Sequence, residues 1–148
     1  MDLIQERVNQ LLDLFNNRAP IAKTFGMILS YKNVENEINL EARIDLPYNS
    51  SLDHALGGIH GGVYSTMIDN AAWFVSAAIS PLSTWVATSD LSIRLLEPVS
   101  ESHMFSLGKV IKRGRRLIVA KADLFEESGK LVGTGTGSFI VLGTNSKF

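Results

Sequence analysis

Residues 57–79 read GGIHGGVYSTMIDNAAWFVSAAI and join a glycine-rich loop to a long helix that carries almost no charge. Between Asp53 and Asp90 the only formally charged side chain is that of Asp69. A helix that is apolar on nearly every side is usually buried in a core. A carboxylate inside such a helix must be hydrogen-bonded, shifted in pKa or used in chemistry. The stretch therefore predicts both the centre of the fold and a candidate functional residue.

The composition is that of one ordinary globular domain over residues 1–148, with a net charge of −1 and no cysteine. The near-zero charge gives no attraction to nucleic acid, and the lack of cysteine removes disulfides, thiolate metal sites and cysteine nucleophiles. Asp2 and Glu6 stand where a secretory signal has bases. Residues 63–79 are short and too polar for a membrane span. We therefore expect a cytoplasmic protein without nucleic-acid or membrane partners.

Hydrophobic periodicity predicts an α+β fold. Apolar residues recur every three or four positions from Asp2 to about Asn16, which predicts an N-terminal helix within residues 1–20. The glycine-rich loop and central helix occupy residues 57–80, and Pro81 ends that helix. Strand and turn signals predict strands at residues 26–32, 38–46, 85–96, 104–112, 117–125 and 131–142. The second has strict period two, with Ile38 first on its apolar face. Their short connections imply antiparallel neighbours, and the sheet is expected to curl around the apolar helix.

The start of the central helix predicts an oxyanion site. The amides of Gly61 and Gly62 are expected to be free donors at the positive end of the helix dipole. Asp69 lies eight residues after Gly61, about 12 Å along the axis at roughly 1.5 Å per residue. One helix therefore cannot offer both groups to one carbonyl, and joint action requires a dimer with composite sites. An oxyanion hole with one carboxylate, without metal or serine triad, suits attack on an activated acyl group such as a thioester.

The same residues resemble a known family. His60-Gly61-Gly62, the preceding residues 56–59 and an aspartate nine positions after the histidine are similar to the HGG-motif acyl-CoA thioesterases of the hotdog superfamily, the PaaI-like group. The resemblance extends to residues 90–98, 112–116 and 129–132 and covers about residues 26–142. It implies a hotdog fold, in which an antiparallel sheet wraps around a long central helix, here with an additional N-terminal helix. It also implies a homodimer, commonly a dimer of dimers.

The resemblance also implies roles for site residues. Asp69 is implied as general base or nucleophile, the Gly61 amide as part of the oxyanion hole, and His60 as a neighbour of the thioester. Thr88 stands where relatives often place a hydroxyl that orients the nucleophilic water. His54 departs from the family pattern, since relatives commonly carry Asn or Gln six positions before the HGG histidine. An imidazole can still donate a hydrogen bond, but its protonation would bring a pH dependence that an amide lacks.

Structural explanations stand beside these catalytic ones. Asp69 could be a buried aspartate that backbone or hydroxyl donors satisfy. His60 could cap the helix or line the core. A metal bridging His54 and His60 is disfavoured because no third ligand lies close to them in the sequence. We therefore expect no metal, and no cofactor apart from the coenzyme A of the substrate.

Three further motifs have two interpretations each. Residues 112–116 could be a solvated hairpin turn, or Arg115 and Arg116 could meet the phosphates of coenzyme A. Trp73, one turn beyond Asp69, could belong to the core or line an acyl pocket. The glycines within residues 133–137 are not a dinucleotide loop, because no helix follows them; period two puts all three on one strand face, where the central helix could cross.

The sequence thus predicts an acyl-CoA thioesterase that converts a fatty-acyl or aryl-acyl thioester to the acid and free coenzyme A. Asp69 of one subunit would activate water while the Gly61 amide of the other stabilises the oxyanion, with Gly62 among the substrate contacts. One alternative is a non-catalytic acyl-CoA-binding module, in which Asp69 is structural. Another is a hotdog dehydratase or hydratase, which likewise uses a histidine with an acidic residue.

Overall fold

The structure is a computed structural model and describes residues 3–143. The elements along this part of the chain are α1 (Leu3–Asp13), a π-helical turn (Leu14–Arg18), α2 (Pro20–Phe25), β1 (Ile28–Lys32), β2 (Glu41–Leu46), a 3-10 turn (Ser50–Leu52), α3 (Gly61–Ala78), β3 (Trp85–Leu95), β4 (Met104–Arg113), β5 (Leu117–Glu126) and β6 (Leu131–Leu142). The four strands after α3 begin and end within one residue of their predicted bounds, which confirms these strand predictions.

The strands form one antiparallel sheet in the order β1-β2-β4-β5-β6-β3. The expectation that short connections make neighbours is wrong for β3 and β4. β3 pairs with β6 at one edge of the sheet, whereas β4 lies between β2 and β5. Residues 96–103 are not a hairpin turn: they run past the start of α3, where Val99 is buried and its carbonyl oxygen accepts from the Ile59 N–H at 2.9 Å.

The sheet packs around α3, which contacts strands β2 to β6. The closest approach is at Gly108 of β4, where a Cβ atom would lie only 2.2 Å from Ala71 O. At Gly135 of β6 a Cβ atom would lie 2.7 Å from Ile68 Cγ2. The expectation that a glycine of β6 makes room for the central helix is thus confirmed at Gly135. The role of Gly108 was not predicted, because a single glycine in a strand has no distinctive pattern.

The N-terminal helix extends further than its periodicity suggested. α1 continues into the π-helical turn, in which the Ala19 N–H donates to Leu14 O at 2.8 Å. Asn16, where the helix was predicted to end, lies inside that turn and binds the backbone N–H and C=O of Leu29 at 2.8 and 3.0 Å. Because Asn16 occupies these groups, it covers the outer edge of β1.

A buried arginine joins α1 to the end of α3. Arg7 is 1% exposed, and its guanidinium donates to Ala77 O at 2.9 Å and to Thr84 O at 2.7 Å. It also contacts Gln10 at 2.7 Å and lies 4.4 Å from the ring centroid of Trp85. Burial lowers the pKa of Arg7 from its ordinary value. The side chain therefore fixes α1, the last turn of α3 and the start of β3 to one another.

Two strands start later than predicted. β1 begins at Ile28 because Gly26, with φ of 86°, ends α2 in the left-handed conformation. β2 begins at Glu41 because Asn39 N–H donates to Asn36 O in a turn, so the assignment of Ile38 to an apolar strand face is wrong. Ile38 is 92% exposed. Within residues 3–143, no helix has the length and apolarity needed to cross a membrane.

Candidate active site

Asp69 lies in the middle of α3 and faces the edge strand β3. Its Oδ1 accepts a hydrogen bond from Thr88 Oγ1 at 2.9 Å. Burial raises the pKa of Asp69 above its ordinary value, and the hydrogen bond from Thr88 opposes that shift because it stabilises the ionised form. The carboxylate is therefore half-buried, held by one hydroxyl, and shifted in the direction that favours proton transfer near neutral pH.

An irregularity in β3 and a tryptophan lie next to this pair. The register of β3 against β6 shifts between Thr88 and Asp90, as a β-bulge does. Trp73, one helical turn beyond Asp69, donates from Nε1 to Val86 O at 2.9 Å. Asp69 and Trp73 therefore both contact β3, and the helix presents a carboxylate and an aromatic ring on the same side.

His60 caps the start of α3. Its Nδ1 accepts the Gly62 N–H at 2.8 Å, and its carbonyl oxygen accepts the Val63 N–H at 2.9 Å. The prediction that the Gly62 amide is a free donor is therefore wrong, because the histidine at the cap position uses it. The Gly61 N–H finds no acceptor among residues 3–143 and remains the available donor. Since Nδ1 is an acceptor, the proton of the His60 ring is on Nε2.

His54 shares a cleft with Gly61. The cleft has a volume of about 270 Å³, and residues 95–99 form much of its wall. His54 Nδ1 accepts the Leu56 N–H at 3.0 Å, which leaves Nε2 as the donor. The imidazole lies so close to Gly58 that a Cβ atom there would be 2.8 Å from Nε2. His60 and Gly62 line a different cleft, with Phe25 and residues 51–53.

The structure keeps Asp69 and Gly61 apart within one chain. Both lie on α3, and eight residues separate them, which corresponds to about 12 Å along the helix. The edge of β3 opposite β6 has no strand partner within residues 3–143. Asp69 therefore lies beside an unpaired strand edge, whereas the free Gly61 amide lies at the N-terminal end of α3.

Arg115 and Arg116 are far from the start of α3. They follow β4 in an exposed turn, and Arg113 lines a cleft with residues 78–83 at the C-terminal end of α3. The helix spans 18 residues, or about 27 Å. The two arginines thus lie at the opposite end of the molecule from Gly61 of the same chain.

Several features of this site had no signal in the sequence. The bulge at Thr88 depends on the register of two strands that are distant in the sequence. The wall of the Gly61 cleft depends on the path of residues 95–99. Tyr64 Oη donates to Glu97 O at 2.9 Å and ties that path to α3. Among residues 3–143 no three His, Asp or Glu side chains converge as a ligand set for a metal. A reaction without metal or cofactor stays a prediction.

Comparison with known proteins gives the family. The model of the thioesterase superfamily matches residues 56–133. A protein of Saccharolobus solfataricus that carries a provisional esterase assignment is 30% identical over 110 residues, which cover 72% of this chain and 78% of the relative. A similarly assigned protein of Halobacterium salinarum is 30% identical over 118 residues, covering 73% and 78%.

Solved structures of low sequence identity share the fold. A thioesterase from Haemophilus influenzae superposes with a TM-score of 0.82 at 18% identity, covering 94% of this chain and 92% of that one. The E. coli PaaI protein from the phenylacetic acid degradation operon gives a TM-score of 0.80 at 16% identity, covering 96% and 97%.

The chain belongs to the thioesterase superfamily. It has the hotdog fold, as its resemblance implied, and it is a thioester hydrolase. The assignment to the HGG-motif subgroup and the roles of individual site residues stay predictions, because none of these comparisons reports them.

Proposed function

We propose that the protein hydrolyses an acyl-CoA thioester, fatty-acyl or aryl-acyl, to the free acid and coenzyme A. The observation that carries this proposal is Asp69, a half-buried carboxylate alone in an uncharged helix, which is bound by Thr88 and has a raised pKa. A general base is most effective when its pKa approaches the working pH. Membership of the thioesterase superfamily supports a thioester as the bond that is cleaved.

In the proposed reaction Asp69 takes a proton from a water molecule that Thr88 helps to orient. The water oxygen adds to the thioester carbonyl carbon, and the Gly61 N–H of the second subunit stabilises the oxyanion. The C–S bond then breaks, and the thiolate leaves and receives the proton held by Asp69. Direct attack by Asp69, followed by hydrolysis of the mixed anhydride, would use the same groups. Thiolate is a good leaving group, so the reaction as proposed requires no metal or added cofactor.

A homodimer is part of this proposal, because Asp69 and Gly61 of one chain cannot reach the same carbonyl. The unpaired edge of β3 supports it, since an exposed strand edge is a template for pairing with another chain. Pairing there would bring a second protomer beside Asp69, which contacts β3 through Thr88. A dimer of dimers, as the resemblance implies, and a cytoplasmic location complete the proposal.

The remaining predicted residues receive binding roles. His60 and His54 each keep Nε2–H as a donor for the substrate, since their Nδ1 atoms accept backbone N–H groups. Trp73 would contact the acyl group, because it lies one turn from Asp69. Arg115 and Arg116 lie far from Gly61 of their own chain. They would therefore bind the coenzyme A phosphates of a substrate whose thioester contacts Gly61 of the other chain, which again requires two subunits.

The test is thiol release from a panel of short, long and aromatic acyl-CoA substrates by the natural protein and by Asp69→Asn. We expect Asp69→Asn to lower kcat by about 100-fold or more, the range of general-base catalysis, with little change in acyl-CoA binding. Asp123→Asn is the matched control, because Asp123 also accepts from a threonine hydroxyl, that of Thr134 at 2.7 Å, but lies on β5. Its kcat should be unchanged.

Two outcomes would contradict the proposal. If Asp69→Asn lost binding but kept its turnover of bound substrate, Asp69 would not be the base. If no substrate released thiol although acyl-CoA bound, the protein would be an acyl-CoA-binding module rather than a hydrolase of these substrates.

A further inference from the structure

An apolar cleft next to Trp73 has no role in the steps above. Its volume is about 310 Å³, and its lining residues are Leu14, Phe15, Arg18, Ala19, Trp73 and Phe74. It lies between α3 and the π-helical turn that follows α1. Phe15 and Phe74 are buried, and their rings meet edge to face at 4.8 Å, so they form a fixed wall.

Trp73 connects this cleft to the candidate base. It follows Asp69 by four residues, one turn or about 6 Å along α3. Both residues contact β3, Asp69 through Thr88 and Trp73 through Val86 O. The indole also meets Phe74 edge to face at 4.7 Å. An acyl chain that extends from the thioester carbonyl at Asp69 along this side of α3 would therefore enter the cleft beside Trp73.

The other wall is formed by the widened turn of the N-terminal helix. The Ala19 N–H bonds to Leu14 O, five residues back, and π-helical turns of this kind are frequent at functional sites. Asn16 fixes the turn to Leu29 of β1 by two hydrogen bonds. The wall is therefore held to the sheet and keeps its distance from Trp73.

From this continuity we infer that the cleft is the acyl-group subsite. It binds an uncharged apolar acyl group, aryl or medium-chain alkyl, and Leu14 of the π-helical turn determines the size of that group. The inference rests on the proposed thioester hydrolysis at Asp69. It goes beyond it in naming a residue that selects the substrate, Leu14, which lies in the N-terminal segment outside the residues 56–133 that match the family model.

Size and charge support this substrate class. A closed cavity of about 150 Å³ holds a benzene ring, and the cleft has about twice that volume but opens to solvent, so a ring or about six methylene carbons would fit. Arg18 is the one charged residue among those that line it. Its side chain is 69% exposed and pairs with Asp13 at 2.8 Å, so its charge lies in solvent at the rim and already has a partner. The interior of the cleft therefore offers apolar contact, and it has no cationic partner for an acyl group that itself carries a carboxylate.

The kinetic test compares benzoyl-CoA, hexanoyl-CoA and acetyl-CoA. Leu14→Trp fills the cleft, and we expect it to lower kcat/KM for benzoyl-CoA and hexanoyl-CoA by about 10-fold or more, the usual effect of a pocket that loses apolar contact. Acetyl-CoA, whose acyl group is too short to reach Leu14, should keep its kcat/KM. Ile21→Trp is the matched control, because Ile21 is exposed and lies in α2 outside the cleft. It should leave all three values unchanged.

A second measurement does not depend on turnover or on the folding of Leu14→Trp. The chain has two tryptophans, so its indole N–H groups give two resonances in a nitrogen-15 NMR spectrum. In Asp69→Asn, benzoyl-CoA should shift the Trp73 resonance and acetyl-CoA should not. Trp85, which packs on Arg7, should not move with either ligand. Trp73→Phe assigns the resonances.

The outcomes separate the subsite from the proposed reaction. If Leu14→Trp slowed acetyl-CoA as much as the larger substrates, or if benzoyl-CoA left Trp73 unmoved, the subsite would be wrong while hydrolysis stood. If Trp73 shifted although none of the substrates released thiol, the subsite would stand and the proposed function would fail. If neither thiol release nor a shift occurred, both would fail.

Discussion

Replacing Arg7 by methionine tests whether the N-terminal helix is an integral part of the fold. Of the three backbone carbonyls to which the guanidinium donates, two are close, Ala77 O at 2.9 Å and Thr84 O at 2.7 Å, and Leu82 O is at 3.5 Å. A hydrogen bond from a charged donor contributes about 1.5–3 kcal/mol, so the two close bonds contribute about 3–6 kcal/mol. Part of this returns because methionine avoids the desolvation of a buried charge, which leaves a net loss of about 2–3 kcal/mol in the free energy of unfolding.

Urea denaturation at a fixed protomer concentration measures this loss. With a slope near 2 kcal/mol per molar urea, the midpoint of Arg7→Met should fall by about 1–1.5 M. Arg18→Met is the matched control, because the Arg18 guanidinium also binds an oxygen, that of the Asp13 carboxylate, but its side chain is 69% exposed. An exposed ion pair contributes about 0–1 kcal/mol. A midpoint shift for Arg7→Met no larger than that for Arg18→Met would refute the reasoning.

Two further predictions concern the site and the core. Thr88→Val removes the hydrogen bond that opposes the raised pKa of Asp69, so we expect that pKa to rise further. The acid limb of the pH–kcat profile should then move to higher pH, and a limb that stays in place would show that Thr88 does not act on Asp69. Gly108→Ala would place a Cβ atom 2.2 Å from Ala71 O, in backbone that cannot yield, and we expect a loss of about 1–3 kcal/mol or more and a lower Tm. The control is Gly143→Ala, where a Cβ atom meets nothing within 4 Å; equal Tm values for the two variants would contradict the expected clash.

Local patterns in the sequence predicted the elements but not all of their partners. The strands after α3 were predicted within one residue, because Pro, Gly and charged turn residues bound them, and in β5 buried and exposed side chains also alternate. Ile38 was misplaced because the alternating pattern continues through a turn, which the hydrogen bond from the Asn39 N–H to Asn36 O closes. The neighbours of β3 were misjudged because the short connection of residues 96–103 crosses the fold past the start of α3, and sequence spacing does not report the crossing.

Some features of the candidate site could likewise be predicted from the sequence, and others could not. The separation of Gly61 and Asp69 could be predicted, because helix geometry alone fixes it. The contact between Asp69 and Thr88 could not be derived from spacing, since it depends on the docking of α3 against β3; only the family resemblance pointed to Thr88. The loss of Gly62 as a donor followed from the rotamer of His60, since an imidazole at a cap position can turn toward the helix or away from it.

The two ends of α3 differ in what they leave open. At the C-terminal end, Ala77 O accepts from Arg7 and from the Ser80 N–H, and Ser80 Oγ donates to Ser76 O. A cation and a hydroxyl thus bind two of the last carbonyl oxygens, at the negative end of the helix dipole. At the other end the Gly61 N–H has no acceptor among the residues that the structure describes. The helix therefore offers a ligand the positive end of its dipole, through one directional hydrogen bond from the Gly61 N–H.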